Sequence, residues 1–117
     1  MKMYADYIKE REGRECIYNE YAFLTYKVYL ETNEVSVYDM YTTSEKRAGF
    51  ALKNIIKEFL NKMKELGVEK AYGFTDMTTK GWEKSESMML KYGFEKLKTE
   101  DNEYNHYILN LKGKYNG

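Results

Sequence analysis

The stretch TTSEKRAGFALKNIIKEFL, Thr42–Leu60, decides the fold. It sets two adjacent cations, Lys46 and Arg47, and then Gly49 at the point where an alternating pattern gives way to a helical one. From about Gly49, Leu52, Ile55, Ile56, Phe59, Met63 and Leu66 recur at helical spacing, with Lys53, Lys57, Lys62 and Lys64 on the opposite side. Gly67 supplies a C-terminal cap. Before this helix, residues 21–31 place Ala22, Leu24, Tyr26, Val28 and Leu30 on one face of a strand. Thr32-Asn33 reverses the chain, and Glu34–Thr42 returns with Val35, Val37, Asp39 and Tyr41 on one face, giving an antiparallel hairpin. After the helix, Val68–Thr75 reads as another strand. A strand, a helix and a strand in that order make a crossover, which sets Glu34–Thr42 and Val68–Thr75 parallel.

Working outward, Ser85–Tyr92 reads as a second, short helix stopped by Gly93, and residues 94–98 and 104–111 as a closing pair of strands around TEDNE. At the other end Met3–Lys9 reads as a first strand, with EREGR as its turn. No repeat, linker or low-complexity run interrupts the chain, so residues 1–117 are expected to form one domain. The expected class is α+β, a sandwich-like arrangement with a mixed, mostly antiparallel central sheet, one crossover and two main helices.

Composition narrows the function. Nineteen basic and nineteen acidic residues leave no net field to attract nucleic acid or an anionic membrane. No run approaches the length of a membrane span, and the N-terminal MKMYADYIKEREG turns charged too soon for a signal peptide. A single cysteine, Cys16, excludes an internal disulfide and fits a reducing, cytoplasmic setting, where it is read as structural. His106, the only histidine, has no Cys/His spacing around it, and no metal is expected. Thirteen tyrosines and no proline suit strands and partly polar surfaces. Trp82 is read as an anchor for the last helix, with a pocket wall as the other reading.

The first amides of a helix have no partners within it and, with the helix dipole, attract anions. A glycine there lets a ligand reach the backbone, and Lys46 and Arg47 add charge beside it. The GxxxxGK[ST] phosphate loop is absent, so the turn alone leaves two readings open: an anion cradle, or a tight turn with solvated cations.

The wider run VYDMYTTSEKRAGFALKNII resembles the central motif of the GNAT superfamily of N-acetyltransferases, in which a strand leads into a Q/R-x-x-G-x-G/A loop that opens the main helix. Lys46-Arg47-Ala48-Gly49-Phe50-Ala51 fits that loop with lysine in the first basic position; an equally fair alignment sets Arg47 there and leaves the loop one residue short. Downstream, KGWEKSESMMLKYGFEKL resembles the segment in which the family's last helix ends in a glycine and an aromatic, here Gly93-Phe94, after a Lys80-Gly81 start and Ser85. The family's tyrosine four residues before that glycine is Met89 here, its helix asparagine has no match, and the N-terminal part is short.

The resemblance implies a GNAT-like domain that uses acetyl-CoA as acyl donor and acetylates a primary amine of a small molecule or protein. It implies that backbone groups around Tyr41, Thr42 and Thr43 pair with the pantetheine arm, that amides from Arg47 through Ala48, Gly49 and Phe50 to Ala51 hold the pyrophosphate, with Lys46 and Arg47 screening its charge, and that Ser85 adjoins the cofactor. Asp39 is the expected general base, as a desolvated carboxylate at the end of the Val35–Val37 row. Glu34 is its alternate, and Tyr92 the expected acid. The competing function is a non-catalytic protein of the same fold that binds acyl-CoA or a protein partner. No nucleic acid or membrane partner is expected, and monomer and homodimer both remain open.

Overall fold

The computed structural model describes residues 1–44 and 48–115. The elements run α1 (Lys2–Glu12), β1 (Glu15–Tyr18), β2 (Ala22–Tyr29), β3 (Glu34–Thr42), α2 (Ala48–Leu66), β4 (Lys70–Asp76), α3 (Trp82–Lys91), β5 (Glu95–Leu97), β6 (Tyr104–Asn110) and α4 (Leu111–Tyr115). The strands form one six-stranded sheet in the order β1-β2-β3-β4-β6-β5, antiparallel except for the β3–β4 pair. That architecture is the mixed, mostly antiparallel α+β sheet expected from the sequence, and the parallel pair is the one the crossover requires.

One expected element is reversed. Residues 3–9 do not form a strand; they lie in α1. Apparent alternation gives way to an i, i+4 pattern: Ile8 is buried, and Tyr4, one turn earlier, meets Phe23 at a ring separation of 5.3 Å. Lys2 and Asp6 pair across one turn at 2.8 Å, Lys9 and Arg11 lie at the negative end of the dipole, and Gly13 closes the helix at φ 67°. A helix this short and this polar needs a surface to dock on, and β1–β2 provide it. The strand β1 was also not foreseen, because four residues around Cys16 carry too little pattern to register.

The core lies between α2 and the sheet. Val35, Ala71, Leu109 and Tyr26 meet Leu52, Ile55, Phe59 and Met63, all buried, and the Tyr26 ring stands edge-on to Phe59 at 5.3 Å. Asn33, at φ 57°, forms the hairpin tip, and its carbonyl accepts from Glu69 N–H at 2.8 Å, tying the tip to the entry of β4. At the opposite end of the hairpin, Asn19 accepts from the amides of Tyr21 and Ala22 at 3.0 Å each, while its Nδ2 donates to the Ala51 carbonyl at 2.9 Å. This one side chain joins the β1–β2 turn to the first turns of α2.

A second tie fastens α3 to the sheet. The Tyr107 phenol, fully buried on β6, donates to Glu86 on α3 and shares a 2.9 Å bond with the Thr75 hydroxyl on β4. Lys96 approaches the same Glu86 oxygen at 3.2 Å. Beneath this tie Gly73 lets α3 close in, since a Cβ there would stand 3.0 Å from the Met89 sulfur.

Two outcomes follow. Asn19→Ala removes three bonds and should lower the unfolding free energy by about 2 kcal/mol, read from the urea midpoint. The Tyr107 hydrogen bond holds the Glu86 carboxyl below its usual 4.5. Stability from a depressed carboxylate is present above the unfolded value and lost as pH falls through the folded one. The stability difference between wild type and Tyr107→Phe should therefore be steady near neutrality and narrow below about pH 4.5, a window set by that depression.

Candidate functional site

The local event that shapes the site is a bulge in β3. Thr25 pairs with Asp39 but Tyr26 pairs with Val37, so Tyr38 is an extra residue with no partner on β2. Side chains alternate strictly along a regular strand, and one added residue inverts everything after it. Val35 and Val37 accordingly point into the core, whereas Asp39 and Tyr41 emerge on the opposite face beside Thr25 and Phe23. Met40 takes the place in the apolar row that Asp39 was expected to continue, packing with Leu24, Ile56 and Phe59.

This corrects the premise on which Asp39 was chosen. Its side chain is 47% exposed, so it is not a desolvated carboxylate. Thr25 Oγ1 donates to its Oδ2 at 2.8 Å, and Arg14 Nη1 approaches the same oxygen at 3.9 Å while its guanidinium lies 3.8 Å above the Tyr38 ring. Burial, with a further push from the Asp39 charge, raises the neighbouring Cys16 thiol, which keeps it protonated and unreactive.

The bulge also ends the parallel pairing. β3 and β4 share a ladder from Glu34–Lys70 through Ser36–Tyr72 and then part. A cleft of about 270 Å³ opens in the gap. Tyr38, Asp39 and Phe74 line it from one face of the sheet, and Val37, Met40, Thr75, Met88 and Met89 from the other. The turn Thr79–Trp82 and Ser85, at the start of α3, close its end. Beyond Ser36 the backbone edge of β3 has no β4 ladder, so it is available to an extended, amide-bearing ligand.

An outer groove of about 510 Å³ adjoins this cleft, and Met88 lines both. Thr42, Gly49, Phe50, Leu52, Lys53, Lys91 and Tyr92 form the rest of it. Gly49 lies at the start of α2 with an ordinary negative φ, and a Cβ there would meet nothing within 4 Å among the described residues. Neither packing nor backbone strain calls for glycine at a position where alanine favours the helix by roughly 1 kcal/mol. Nearby, the Thr43 hydroxyl is buried with no hydrogen-bond partner among the described residues. An open glycine in the first turn of α2, and an orphaned hydroxyl next in the chain to the groove residue Thr42, fit an anionic ligand approaching the backbone.

The sequence-derived site residues are dispersed, and Thr43, whose amide donates to the Tyr21 carbonyl, lines neither the cleft nor the groove. Asp39 and Ser85 line the inner cleft, and Thr42, Gly49, Phe50 and Tyr92 the outer groove. Tyr41 stacks on Phe23 at 5.5 Å, and Ala51 is buried in the core, so neither side chain lines the cleft or the groove. Lys46 and Arg47 lie outside the described residues, and Ala48 is described only as the first residue of α2. Tyr92 and Asp39 do not line a common cavity. Glu34 lines a separate depression with Tyr72, whose hydrogen bond holds its carboxyl low, away from the inner cleft. Met89, standing where the family tyrosine was sought, is buried against the cleft.

Residues that sequence reading missed come mainly from β4 and the loop after it. Phe74, Thr75 and Asp76 carry no motif of their own. Their signal was topological, since a crossover places β4 beside β3. Asp76 is occupied locally, accepting from the Thr78 amide and hydroxyl, and these bonds keep its carboxyl low. Among the described residues no group of three or more His, Cys, Asp and Glu side chains is placed to hold a metal ion. His106, on β6, pairs with Asp101 in the loop between β5 and β6 at 3.2 Å.

No protein-family model and no curated protein sequence matches the chain. Solved structures do. PaiA N-acetyltransferase from Thermoplasma acidophilum, in complex with coenzyme A, superposes with a TM-score of 0.64 at 18% identity, over 77% of this chain and 53% of that one. A GNAT-family acetyltransferase from Staphylococcus aureus Mu50 gives 0.64 at 16%, over 80% and 61%. An N-acetyltransferase from the same strain gives 0.62 at 13%, over 94% and 75%. The chain thus spans little more than half the length of the first two. With a bulged strand, a parting parallel pair and a helix opening at a glycine, the chain has the fold of the GNAT acetyltransferases.

Proposed function

We propose that the protein is an acyl-CoA-dependent N-acetyltransferase, with acetyl-CoA as acyl donor and a primary amine as acceptor. The observation that carries this reading is the adjacency of two spaces that share Met88 as a wall. One is a cleft where β3 and β4 part beside the Tyr38 bulge, and the other a groove at the N-terminal end of α2. A long donor with an anionic head and an amide-bearing arm matches both parts. The α2 start and the Gly49 surface take the pyrophosphate, the Thr43 hydroxyl supplies a buried polar contact, and the free edge of β3 takes the carbonyls of the arm's amides.

When bound, such a donor supplies a thioester whose carbonyl an amine attacks. The chain's own contribution begins with entry from the opposite face, where Asp39, Tyr38 and Phe74 border the cleft. The Asp39 carboxylate attracts the ammonium and receives its proton, and the aromatic edges hold the amine's carbon chain. Thr25 fixes the Asp39 carboxylate through its 2.8 Å hydrogen bond on the exposed side of the cleft, so the carboxylate's first task is to bind and orient the cation. Tyr92 shares the outer groove with Gly49, which supports a cofactor-side contact in place of the acid role first assigned to it. Met89 offers the departing thiolate no proton.

That last point favours a second reading, a non-catalytic protein of this fold that binds acyl-CoA without transferring the acyl group. Calorimetry with acetyl-CoA decides whether the cofactor part holds. Wild type should bind in the micromolar range, and Gly49→Glu, which folds because open space surrounds the position, should lose at least tenfold. Absence of binding by wild type overturns both readings. Binding is common to both, and acetyl transfer to a panel of primary amines, lost in Asp39→Asn with acetyl-CoA affinity unchanged, separates them.

A further inference from the structure

The bonds joining Glu86, Tyr107 and Thr75 have a fixed direction. A carboxylate only accepts, and a phenol has one proton to give. Tyr107 gives that proton to Glu86. Its 2.9 Å bond to Thr75 must therefore run the other way, with Thr75 Oγ1 donating and the phenol oxygen accepting. The threonine hydroxyl has then spent its only proton inside the protein, and any further bond it makes can only be accepted. The protonation states behind this direction are secure near neutrality. Burial, and then the Glu86 bond, push the Tyr107 phenol up to about 12, while Glu86 is held low by the same bond and by Lys96.

Thr75 lines the inner cleft among Val37, Met40, Met88 and Met89. It lies on the face shared with Gly73 and Tyr107, against which α3 packs, and not on the Phe74 face. We propose that Thr75 is a ligand-positioning residue whose hydroxyl, poled by Tyr107 and Glu86, accepts a hydrogen bond from an amide N–H of the acyl donor's arm. An acceptor amine carries the same N–H chemistry, but it approaches from the Asp39 and Phe74 side. The inference rests on the acyl-CoA reading above and assigns one residue within it. Its physical content is a selection rule: a group without a donor hydrogen leaves a buried acceptor unmatched at this point.

The test compares acetyl-CoA with an analogue in which the amide nearer the thioester is replaced by an ester, using calorimetry. Wild type should bind the analogue about fivefold more weakly, the ratio expected from one net hydrogen bond. Thr75→Val should bind the two ligands alike, Thr75→Ser should restore the discrimination, and adenosine 3′,5′-diphosphate should bind all three proteins equally. Tyr107→Phe provides a second variant in which the poling is lost and the discrimination shrinks. A purely structural role for Thr75 would weaken both ligands together. Undiminished discrimination in Thr75→Val overturns the proposal while leaving the cofactor reading intact. Retained discrimination with slowed acetyl transfer to propylamine assigns the N–H to the amine and overturns it as well. Failure of wild type to bind acetyl-CoA removes the cofactor reading and this inference together.

Discussion

The extra residue at Tyr38 is the constraint on which the rest of this structure depends. Before it, Val35 and Val37 bind β3 to the core; after it, Met40 does so, and Asp39 is released to the opposite face. A bulge strengthens local twist and bends the strand that carries it. β3 keeps its antiparallel bond to β2 along its whole length but leaves β4 after Ser36. The cleft follows from that choice of partner, since a strand that bends with one neighbour must part from the other.

Around this gap the helices have distinct tasks. α2 buries an apolar face along the sheet and brings its N-terminal end to the mouth of the groove, where Asn19 pins its first turns to the β1–β2 turn. α3 closes the cleft from the side, brought near by Gly73 and fixed by the bond of Glu86 to Tyr107. α1 covers the opposite face of the first strands, and Arg14, just past its end, reaches Tyr38 and Asp39. The bulged residues are thereby held on both sides. These contacts place polar groups around an opening that a regular sheet would not have.

Each correction to the sequence reading has a physical source. The stretch 3–9 alternates over a few residues, and alternation so brief is compatible with a helix once Tyr4 and Ile8 find a surface. Asp39 was placed by counting in twos from Val35, which is valid only while the strand is regular. No feature of the VYDM run announces that Tyr38 is unpaired, because pairing is a property of two strands. Thr75 was invisible for a related reason. Its importance arises from Tyr107 and Glu86, 32 and 11 positions later in the chain (107 − 75 and 86 − 75), and three elements must assemble before the three hydroxyl and carboxyl groups meet.

The sequence by itself determined the elements with long, consistent periodicity and the order in which they join. The α2 stripe, the β2–β3 hairpin, the crossover to β4 and the closing strands are all properties of neighbours along the chain, and local spacing encodes them. It also determined that a glycine stands at the start of α2, while the structure added that neither packing among the described residues nor backbone strain calls for it. Only the tertiary structure decided where the side chains of β3 point after residue 38, how far β3 and β4 stay together, and which way the hydrogen bonds leading to Glu86 run. Those depend on register between strands and on groups far apart in sequence, and one added residue in a ladder changes them without altering the pattern that formed the strand.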